Sequence, residues 1–208
     1  MMNWYQKVIV PRLLNFEMGS AELDKIRRSA LVNAVGTVLE IGVGPGYSLA
    51  HYKNITKLYA LEPSKEILAI AKRRADVLTF PVEFLNTGAE SIPLPDYSVD
   101  TVVSTLTLCS VADPKKVLQE IARVLRPHGT FIFVEHGASH NPGMRLLQTA
   151  FTKVTKYFTG NCHYDREIER LIEEAGFRVK TIEYAHERFS PLIYDYQGVA
   201  THPSIRAS

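Results

Sequence analysis

The stretch Val38-Leu-Glu-Ile-Gly-Val-Gly-Pro-Gly46 decides the fold of this chain. Its first four residues are apolar apart from one glutamate and predict a buried strand, and its three glycines at alternate positions predict a tight turn into a helix. Turns of this kind let the backbone approach a bound nucleotide closely. A tight turn without a ligand is the simpler interpretation, but turning alone does not require three glycines.

Short apolar runs recur through the chain and predict the strands of one sheet: residues 37–41, 57–61, 82–85, 100–104 and 130–134. Helical stretches lie between several of them, one capped by Ser64 and another by Asp113 with Pro114 at its first position. Near-continuous apolar strands imply burial on both faces, and intervening helices imply right-handed crossovers. We therefore expect an α/β fold, Rossmann-like, with a mostly parallel sheet and helices on both faces.

The alternation of single strands with helices ends after the fifth strand. Residues 145–158 and 166–175 predict two helices separated by a break at 159–161, and residues 178–184 and 192–199 predict two strands that pair antiparallel. We expect one domain over residues 1–208. Within it, a helical lid occupies 1–34, a cofactor-binding core 35–137, and a part that shapes the substrate pocket 138–208.

Composition limits the partners of the chain. Of its 208 residues, 24 are Lys or Arg and 22 are Asp or Glu, a net charge of +2 that disfavours nucleic acid. Its two cysteines form no CxxC pair, which disfavours a disulfide framework and a structural zinc site. No apolar stretch is long enough to span a bilayer, and the N-terminus lacks the pattern of a secretory signal. We expect a cytoplasmic protein with no transmembrane segment, while a peripheral membrane contact stays open.

The residues beside the glycines distinguish between two cofactor classes. Dinucleotide sites usually have a third glycine where this chain has Tyr47, and Glu40 would repel a pyrophosphate but attract an ammonium group. S-adenosylmethionine carries a methionyl amine and no phosphate, so it fits better. Glu62, about 20 residues beyond the first glycine, is placed to accept from the ribose hydroxyls. The loop with Ala89 and Glu90 is placed to contact the adenine.

These motifs together resemble the class I S-adenosylmethionine-dependent methyltransferases, from about Val35 to Gly137. The matching segments are 38–46, 61–64, 89–93 and 118–129. The resemblance implies a seven-stranded sheet whose last strand is antiparallel. One departure is His128, which stands where relatives usually have glycine. The cofactor-binding residues expected on these grounds are Glu40, Gly42, Gly44, Gly46, Tyr47, Glu62, Pro63, Ser64, Ala89, Glu90, Thr105 and Leu106.

A narrower likeness involves segments 104–111, 133–138, 160–163 and 191–200. They look like bacterial relatives of the methyltransferase-like 7 group, whose animal members methylate alkyl thiols, and more loosely like ubiquinone/menaquinone and phospholipid methyltransferases. The animal members carry a hydrophobic N-terminal anchor that has no equivalent here, so membrane residence is not expected. The likeness implies a small-molecule acceptor. A thiol or another small apolar compound is favoured, and a quinone or phospholipid headgroup is the alternative.

Methyl transfer needs alignment of the acceptor more than it needs a base, so the catalytic residues depend on the acceptor. His136, after the fifth strand, and His163, in the break between the late helices, are the candidates for a base or a polar substrate contact. Cys109 and Cys162 are expected to serve mainly in packing, although Cys109 follows the fourth strand near the expected methyl group. His136 and His140 do not share a helix face, so no metal site is expected. Candidates for the pocket wall or a cation–π contact with the sulfonium are Trp4, Tyr5, Tyr47 and Tyr164.

Two alternatives of another class stay open. A nicotinamide-dependent oxidoreductase would use the same glycine turn and Glu62, although Tyr47 and Glu40 count against it. A cofactor-binding protein without catalysis would carry the same motifs, because methyl transfer leaves no obligatory catalytic signature in a sequence.

Overall fold

A computed structural model describes residues 21–157, 159–187 and 190–202. The part of the expected lid before residue 21 lies outside these residues, and its remainder forms the first helix. In chain order the elements are α1 (Ala21–Leu31), β1 (Val35–Ile41), a short 3-10 helix (Leu49–His51), β2 (Asn54–Leu61), α2 (Lys65–Ala75), β3 (Val82–Leu85), β4 (Val99–Thr105), α3 (Pro114–Val124), β5 (Leu125–His136), α4 (Pro142–Thr155), α5 (Ile168–Glu174), β6 (Arg178–Glu187) and β7 (Ser190–Thr201).

The strands form one seven-stranded sheet in the order β3-β2-β1-β4-β5-β7-β6. Strands β3, β2, β1, β4 and β5 pair parallel, and β7 pairs antiparallel with both β5 and β6. The direction of winding reverses between β1 and β4, and open α/β sheets bind ligands at the carboxyl ends of the strands at such a reversal. The expected fold class and the antiparallel last strand are confirmed.

Alternate residues of the central strands face two apolar cores, one on each side of the sheet. In β1, Val38 packs with α1 and α2 on one face, whereas Leu39 packs with α3 and α5 on the other. In β5, Ile132 and Phe133 divide in the same way. Strands buried on both faces need apolar residues at nearly every position, which explains the continuous apolar runs of the sequence. The few carboxylates inside these runs are exceptions that require buried partners.

Side-chain caps start the crossover helices at the predicted residues. Ser64 accepts a hydrogen bond from a first-turn N–H of α2 at 3.3 Å, and Asp113 accepts one from a first-turn N–H of α3 at 3.0 Å. Each cap satisfies a backbone donor that has no partner within its helix. The two helices therefore begin where the sequence predicts, directly after the carboxyl ends of strands.

Several element boundaries differ from the sequence-based expectation, and three of the differences have an evident structural cause. β5 begins at Leu125 rather than at residue 130, because the fully buried Leu125 pairs with Val99 in the sheet immediately after α3 ends. α4 spans Pro142–Thr155 rather than 145–158, because Asn141 accepts from two N–H groups of the first turn and caps the helix earlier. α5 is shorter than expected and ends before Gly176, whose φ of +89° breaks the helix.

Candidate active site

The glycine turn after β1 has the left-handed backbone that its sequence predicts. Gly42, Gly44 and Gly46 have φ angles of +63°, +55° and +85°. A Cβ atom on Gly42 would lie 2.2 Å from Thr107 Oγ1, and one on Gly46 would lie 2.7 Å from Leu49 Cδ1, so internal packing requires glycine at both positions. A Cβ on Gly44 would meet nothing closer than the Gly42 carbonyl oxygen at 3.9 Å. Gly44 is therefore the point at which a ligand can approach the backbone.

Glu40 lies in β1 just before this turn and is 1% exposed. Its Oε2 accepts hydrogen bonds from Ser48 Oγ at 2.8 Å and from the Tyr52 hydroxyl at 3.0 Å. Burial raises the pKa of Glu40 above its usual value, while these two hydrogen bonds and the positive charge of Arg27 act in the opposite direction. The carboxylate thus lies beside the glycine turn, as expected, and it already has hydroxyl donors and a cation from α1.

A small pocket lies between the glycine turn, the end of β4 and α1. It is far smaller than the roughly 300–1,000 Å³ of typical cofactor sites, so its lining forms only part of the surface that a nucleoside-sized ligand would contact. Arg27, which is 2% exposed, brings a cation to the carboxylate that was expected to attract the ligand's ammonium group. The lining residues are Arg27, Glu40, Gly42, Val43, Pro45, Tyr47, Ser48 and Thr105.

The ring of Tyr47 contacts cations of the protein itself. The Arg74 guanidinium carbon lies 3.9 Å from the ring centroid, and that of Arg27 lies at 5.8 Å. Arg74 also donates to the Pro45 carbonyl oxygen at 2.5 Å, which fixes its position over the turn. Since an aromatic face attracts cations, these arginines already make the kind of cation–π contact that was expected for the sulfonium. Tyr47 lines the pocket, and its contact with a bound sulfonium stays a prediction.

Glu62 follows β2 and is 8% exposed. Its Oε1 accepts from the Ser64 N–H at 2.9 Å, and the Gly44 backbone lies close enough to the carboxylate to affect its pKa. Burial raises the pKa of Glu62 above its usual value, and the backbone groups of Ser64 and Gly44 lower it. The carboxylate at the end of β2 therefore lies near the open position of the glycine turn.

The loop after β3 is tied to neighbouring elements by side-chain bonds. Asn86 Nδ2 donates at 2.9 Å to the carbonyl oxygens of both Glu62 and the exposed Pro63. Ala89 is buried, and Glu90 Oε2 lies 2.9 Å from the place where a Cβ on Gly88 would stand. The expected adenine loop therefore begins beside the expected ribose residue.

The two residues at the end of β4 face different surroundings, one the pocket and the other an adjoining apolar cluster. Thr105 is 4% exposed and lines the pocket. Leu106 has a φ of +53°, donates its N–H to the Val134 carbonyl oxygen at 2.7 Å, and packs against Cys109 and Cys162. The two expected cofactor residues thus lie at the crevice but face different neighbours.

Glu135, inside the apolar run of β5, is a buried carboxylate that the sequence patterns did not single out. It is 0% exposed and accepts from Ser104 Oγ at 2.5 Å. It also accepts from the backbone N–H groups of Thr107, Leu108 and Cys109 at 3.0–3.1 Å. A carboxylate within a fully buried strand could have indicated a structural role, because burying such a charge requires several donors. Here it fixes the loop that follows β4.

His136, the candidate base, lies at the end of β5 beside both cysteines. Its Nδ1 is 3.3 Å from Cys162 Sγ, and its Nε2 is 3.5 Å from Asp195 Oδ1. Cys162 Sγ lies in turn 3.3 Å from Cys109 Sγ. We call Cys109, His136 and Cys162 the cysteine–histidine cluster. His136 therefore has partners on both ring nitrogens, and its catalytic role stays a prediction.

His163 and Tyr164 belong to the surroundings of this cluster rather than to the pocket lining. The His163 N–H donates to the Cys109 carbonyl oxygen at 2.8 Å, which holds the segment after α4 against the end of β4. Burial, followed by the charge of Arg166, lowers the pKa of His163 below its usual value. The Tyr164 ring lies 5.1 Å from the His136 ring. The other two aromatic candidates, Trp4 and Tyr5, lie outside the described residues.

The sequence predicts no metal site, because His136 and His140 share no helix face and the two cysteines form no CxxC pair. The structure brings His136 together with both cysteines, a grouping that neither spacing describes. Separately, none of the helices within residues 21–157, 159–187 and 190–202 is both long and apolar enough to cross a bilayer.

The fold and the glycine-turn site agree with one class of enzyme. A family model described as a methyltransferase domain matches residues 39–133, which span the glycine turn and most of the parallel strands. The structure of an S-adenosylmethionine-dependent methyltransferase from Aquifex aeolicus superposes with a TM-score of 0.68 at 20% identity, covering 92% of this chain and 98% of that chain. Together with a 32% identical methyltransferase relative that the match covers over 83% of its length, this family model shows that the chain belongs to the methyltransferases. This confirms the resemblance and removes the nicotinamide-dependent alternative.

Two curated relatives are similar to this chain over most of its length. Phosphatidylethanolamine N-methyltransferase from Cereibacter sphaeroides is 32% identical over 171 residues, which cover 80% of this chain and 83% of that protein. Thiol S-methyltransferase TMT1B from Rattus norvegicus is 34% identical over 152 residues, 71% of this chain and 62% of that protein. The match thus spans less than two thirds of the length of the rat relative. The two relatives bear names that specify different acceptors.

Proposed function

We propose that this enzyme transfers a methyl group from S-adenosylmethionine to a small apolar acceptor, with a thiol as the favoured nucleophile. The observation that carries the proposal is the pair of buried carboxylates near the ends of the neighbouring strands β1 and β2. Glu40 lines the pocket at the glycine turn, and Glu62 follows Leu61, whose carbonyl oxygen accepts from the Val43 N–H of the same turn at 2.9 Å. A ligand with an ammonium group at one end and a ribose diol in its middle is complementary to two carboxylates so arranged.

The side chains around the turn have distinct tasks in this proposal. Glu40 attracts the ammonium group in competition with the neighbouring Arg27 cation, and its hydroxyl partners Ser48 and Tyr52 hold its carboxylate in place. Glu62 accepts from the ribose hydroxyls while the Ser64 N–H holds it in place. When bound, S-adenosylmethionine supplies a methyl group on a good leaving group, so the protein's remaining task is to align the acceptor and exclude water.

The titratable groups of the pocket favour an acceptor that needs little help from a base. Those among its described lining residues are Arg27, Glu40 and Tyr47, and Glu40 already accepts two hydrogen bonds. A thiol has an appreciable thiolate fraction near neutral pH, whereas a hydroxyl or a carbon acid requires a positioned base. The name of the rat relative, a thiol S-methyltransferase, agrees with this choice.

A phospholipid headgroup is the second candidate acceptor, and one surface feature favours it. Leu146, Leu147, Val154 and Tyr157 are 57–74% exposed along one side of α4 and just beyond it, with Lys153 among them. An apolar stripe with a cationic neighbour fits the interface of an anionic or zwitterionic membrane. The name of the Cereibacter relative also specifies a phospholipid. A quinone acceptor would require the same approach to a membrane.

The expected organisation of the chain follows from the same proposal. Residues 35–137 hold the cofactor, and the chain on either side of them shapes the acceptor pocket within one domain. We place the activity in the cytoplasm, with contact to a membrane surface only if the acceptor is a lipid or a quinone.

Isothermal calorimetry with S-adenosylmethionine and its demethylated product tests cofactor binding. Glu62→Ala should weaken the affinity for both by about 1.5–3 kcal/mol, the value of a hydrogen bond to a charged group. The matched control is Glu83→Ala, which removes a half-exposed glutamate that pairs with Lys57 at 2.7 Å on the neighbouring strand β3. Its affinity should equal that of the wild type. Absence of binding to the folded wild-type protein would refute the proposal.

A second assay distinguishes the acceptors. The protein is incubated with methyl-labelled cofactor and either a panel of alkyl thiols or vesicles that contain phosphatidylethanolamine. Label in the thiol fraction alone supports the favoured acceptor, and label in the lipid alone supports the second. Replacing Leu146 and Val154 by serine should reduce lipid labelling and leave thiol labelling unchanged, because both side chains are exposed on α4 away from the pocket lining.

A further inference from the structure

The cysteine–histidine cluster lies outside the lining of the glycine-turn pocket. One ligand atom from each of Cys109, His136 and Cys162 can be chosen so that all three lie within 4.8 Å of one another. Two of the separations are 3.3 Å, from Cys162 Sγ to Cys109 Sγ and from Cys162 Sγ to His136 Nδ1. We propose that these three side chains bind a thiophilic divalent metal ion, of which Zn²⁺ is the type.

The donor set is one that zinc prefers. Two thiolates and one imidazole form a Cys₂His site that leaves one tetrahedral position for water or a small ligand. Ligand atoms held about 2.0–2.3 Å from a tetrahedral ion lie roughly 3.5–3.8 Å from each other. The 3.3 Å separations at Cys162 need only small side-chain adjustments to reach these values. Binding displaces one proton from each thiol and changes no oxidation state.

The neighbour of His136 supports a ligand role for this side chain. Its Nε2 lies 3.5 Å from Asp195 Oδ1, and the two residues are directly paired across β5 and β7. A carboxylate beside the far ring nitrogen favours the tautomer in which the other nitrogen carries a lone pair, and metal-bound histidines usually have such a neighbour. The lone pair of Nδ1 would then face Cys162, the position at which an ion bridges the two residues.

Backbone contacts hold the cysteines in place before any ion binds. The Cys109 N–H donates to Glu135 Oε2 at 3.0 Å, and the Cys109 carbonyl oxygen accepts from the His163 N–H at 2.8 Å. Cys109 is 0% exposed and Cys162 is 4% exposed. A preorganised, water-poor pair of thiols loses little conformational freedom on binding, which favours a specific ion over surface adsorption.

The charges around the cluster suit a divalent ion. Such an ion with two thiolates is neutral, which avoids burying an unpaired charge. Arg166 donates to the Leu108 carbonyl oxygen and, at 2.8 Å, to that of Val111, and its cation interacts with both thiols and with Glu135. The guanidinium offsets the Glu135 carboxylate, and the Asp195 carboxylate adds one negative charge beside the far nitrogen of His136.

Cobalt substitution tests the site in the full chain without measuring methyl transfer. The protein is prepared without a polyhistidine tag, reduced, stripped with a chelator and titrated with Co²⁺. We expect one ion per chain, a thiolate-to-cobalt charge-transfer band, and loss of that band when Zn²⁺ is added. Cys109→Ala and Cys162→Ala should abolish the band. Asp195→Ala should keep the band but weaken the affinity by about 10–100-fold, as loss of an outer partner of a metal-bound histidine does.

The matched control is His128→Asn, at the opposite end of β5, where asparagine tolerates the φ of +66°. It should bind cobalt as the wild type does. X-ray absorption of the zinc-loaded wild type provides a measurement that needs no variant, and it should show two sulfur ligands. A reduced, folded wild type that gives no charge-transfer band, or a metal environment without sulfur, overturns the proposal. So does a band that persists in both folded cysteine variants.

Discussion

The glycine-turn pocket and the cysteine–histidine cluster lie at the same edge of the sheet, but they are assembled in different ways. The pocket draws most of its lining from one continuous segment that ends β1 and turns towards β2. The cluster joins residues that are 26 and 53 positions from Cys162 in the sequence. A continuous segment produces a motif, whereas residues assembled by strand order do not. Sites of the second kind become visible only when the topology is known.

The two regions also use their buried carboxylates differently. Glu40 is held by the hydroxyl groups of Ser48 and Tyr52, which can rotate to other partners when a ligand arrives. Glu135 is held by one hydroxyl and by three backbone N–H groups, which cannot reorient without moving the chain. Glu40 is therefore suited to binding and Glu135 to fixing the loop that carries Cys109.

Replacing Glu135 should give the largest loss of stability. Glu135→Leu leaves three backbone N–H groups beside an apolar side chain, and each unsatisfied buried donor costs about 1–3 kcal/mol. After relaxation we expect a total of about 3–5 kcal/mol, measured by urea denaturation. Glu83→Leu, at a half-exposed position in β3, should change stability by at most about 1 kcal/mol. Similar losses in the two variants would mean that Glu135 is not the organising group of its loop.

Alanine substitutions at two positions of the glycine turn should separate an effect on stability from an effect on cofactor affinity. Gly42→Ala places a Cβ 2.2 Å from Thr107 Oγ1 at a left-handed φ, so about 2–4 kcal/mol of stability should be lost. Gly44→Ala carries only the conformational cost of about 1–2 kcal/mol, because its Cβ has no close protein neighbour.

Calorimetry on the same two glycine variants completes the comparison. Gly44→Ala should lose at least about tenfold in cofactor affinity, because its Cβ occupies the space assigned to the ligand. A Gly44→Ala variant that binds as well as the wild type would show that the ligand does not approach the turn there.

Lowering the pH should weaken cofactor binding and, through Glu40 and Glu62, increase the stability of the folded protein. Burial raises the pKa of both Glu40 and Glu62 above 4.5, and the proposed site needs both in the charged form. Affinity should therefore fall as the pH drops through these raised pKa values, by up to about tenfold per pH unit for each carboxylate. The folded protein without ligand binds these protons more tightly than the unfolded chain. The contribution of these two groups to the free energy of unfolding is therefore greatest at low pH and declines as the pH rises above 4.5.

The two opposite trends can be measured on one set of samples. Calorimetry follows the affinity and urea denaturation follows the stability over the same pH range. Glu40→Gln should remove one of the two steps in the affinity profile and leave the other. An affinity that stays constant as the pH falls to 4.5 would exclude a charged carboxylate with a raised pKa from the binding site.

Much of this architecture could be predicted from local sequence patterns, and the exceptions have physical causes. The strands of the parallel core appear as apolar runs because both faces are buried, and Ser64 and Asp113 mark helix starts because capping needs short polar side chains. The start of β5 at Leu125 was missed because its strand partner Val99 is distant in sequence. The contact of Arg27 with the pocket depends on how α1 packs, which no motif records.

The candidate site shows the same division between local and distant information. The proximity of Glu62 to Gly44 follows from two parallel strands that end side by side, so the spacing of the carboxylate from the turn was informative. Asp195 becomes a partner of His136 only because β7 inserts antiparallel beside β5. That insertion was not predictable from the residues around His136.

Replacing Tyr47 should give the smallest effect, and it distinguishes a ring that packs against Arg74 from a ring that contacts the sulfonium. With Arg74 at 3.9 Å from the centroid, Tyr47→Leu should lower stability by about 0.5–1 kcal/mol and change cofactor affinity by less than about twofold. Tyr157→Leu is the control, because its exposed ring has Lys156 at 5.4 Å and lies outside the pocket lining. A large loss of affinity in Tyr47→Leu with unchanged stability would mean that the ring contacts the sulfonium.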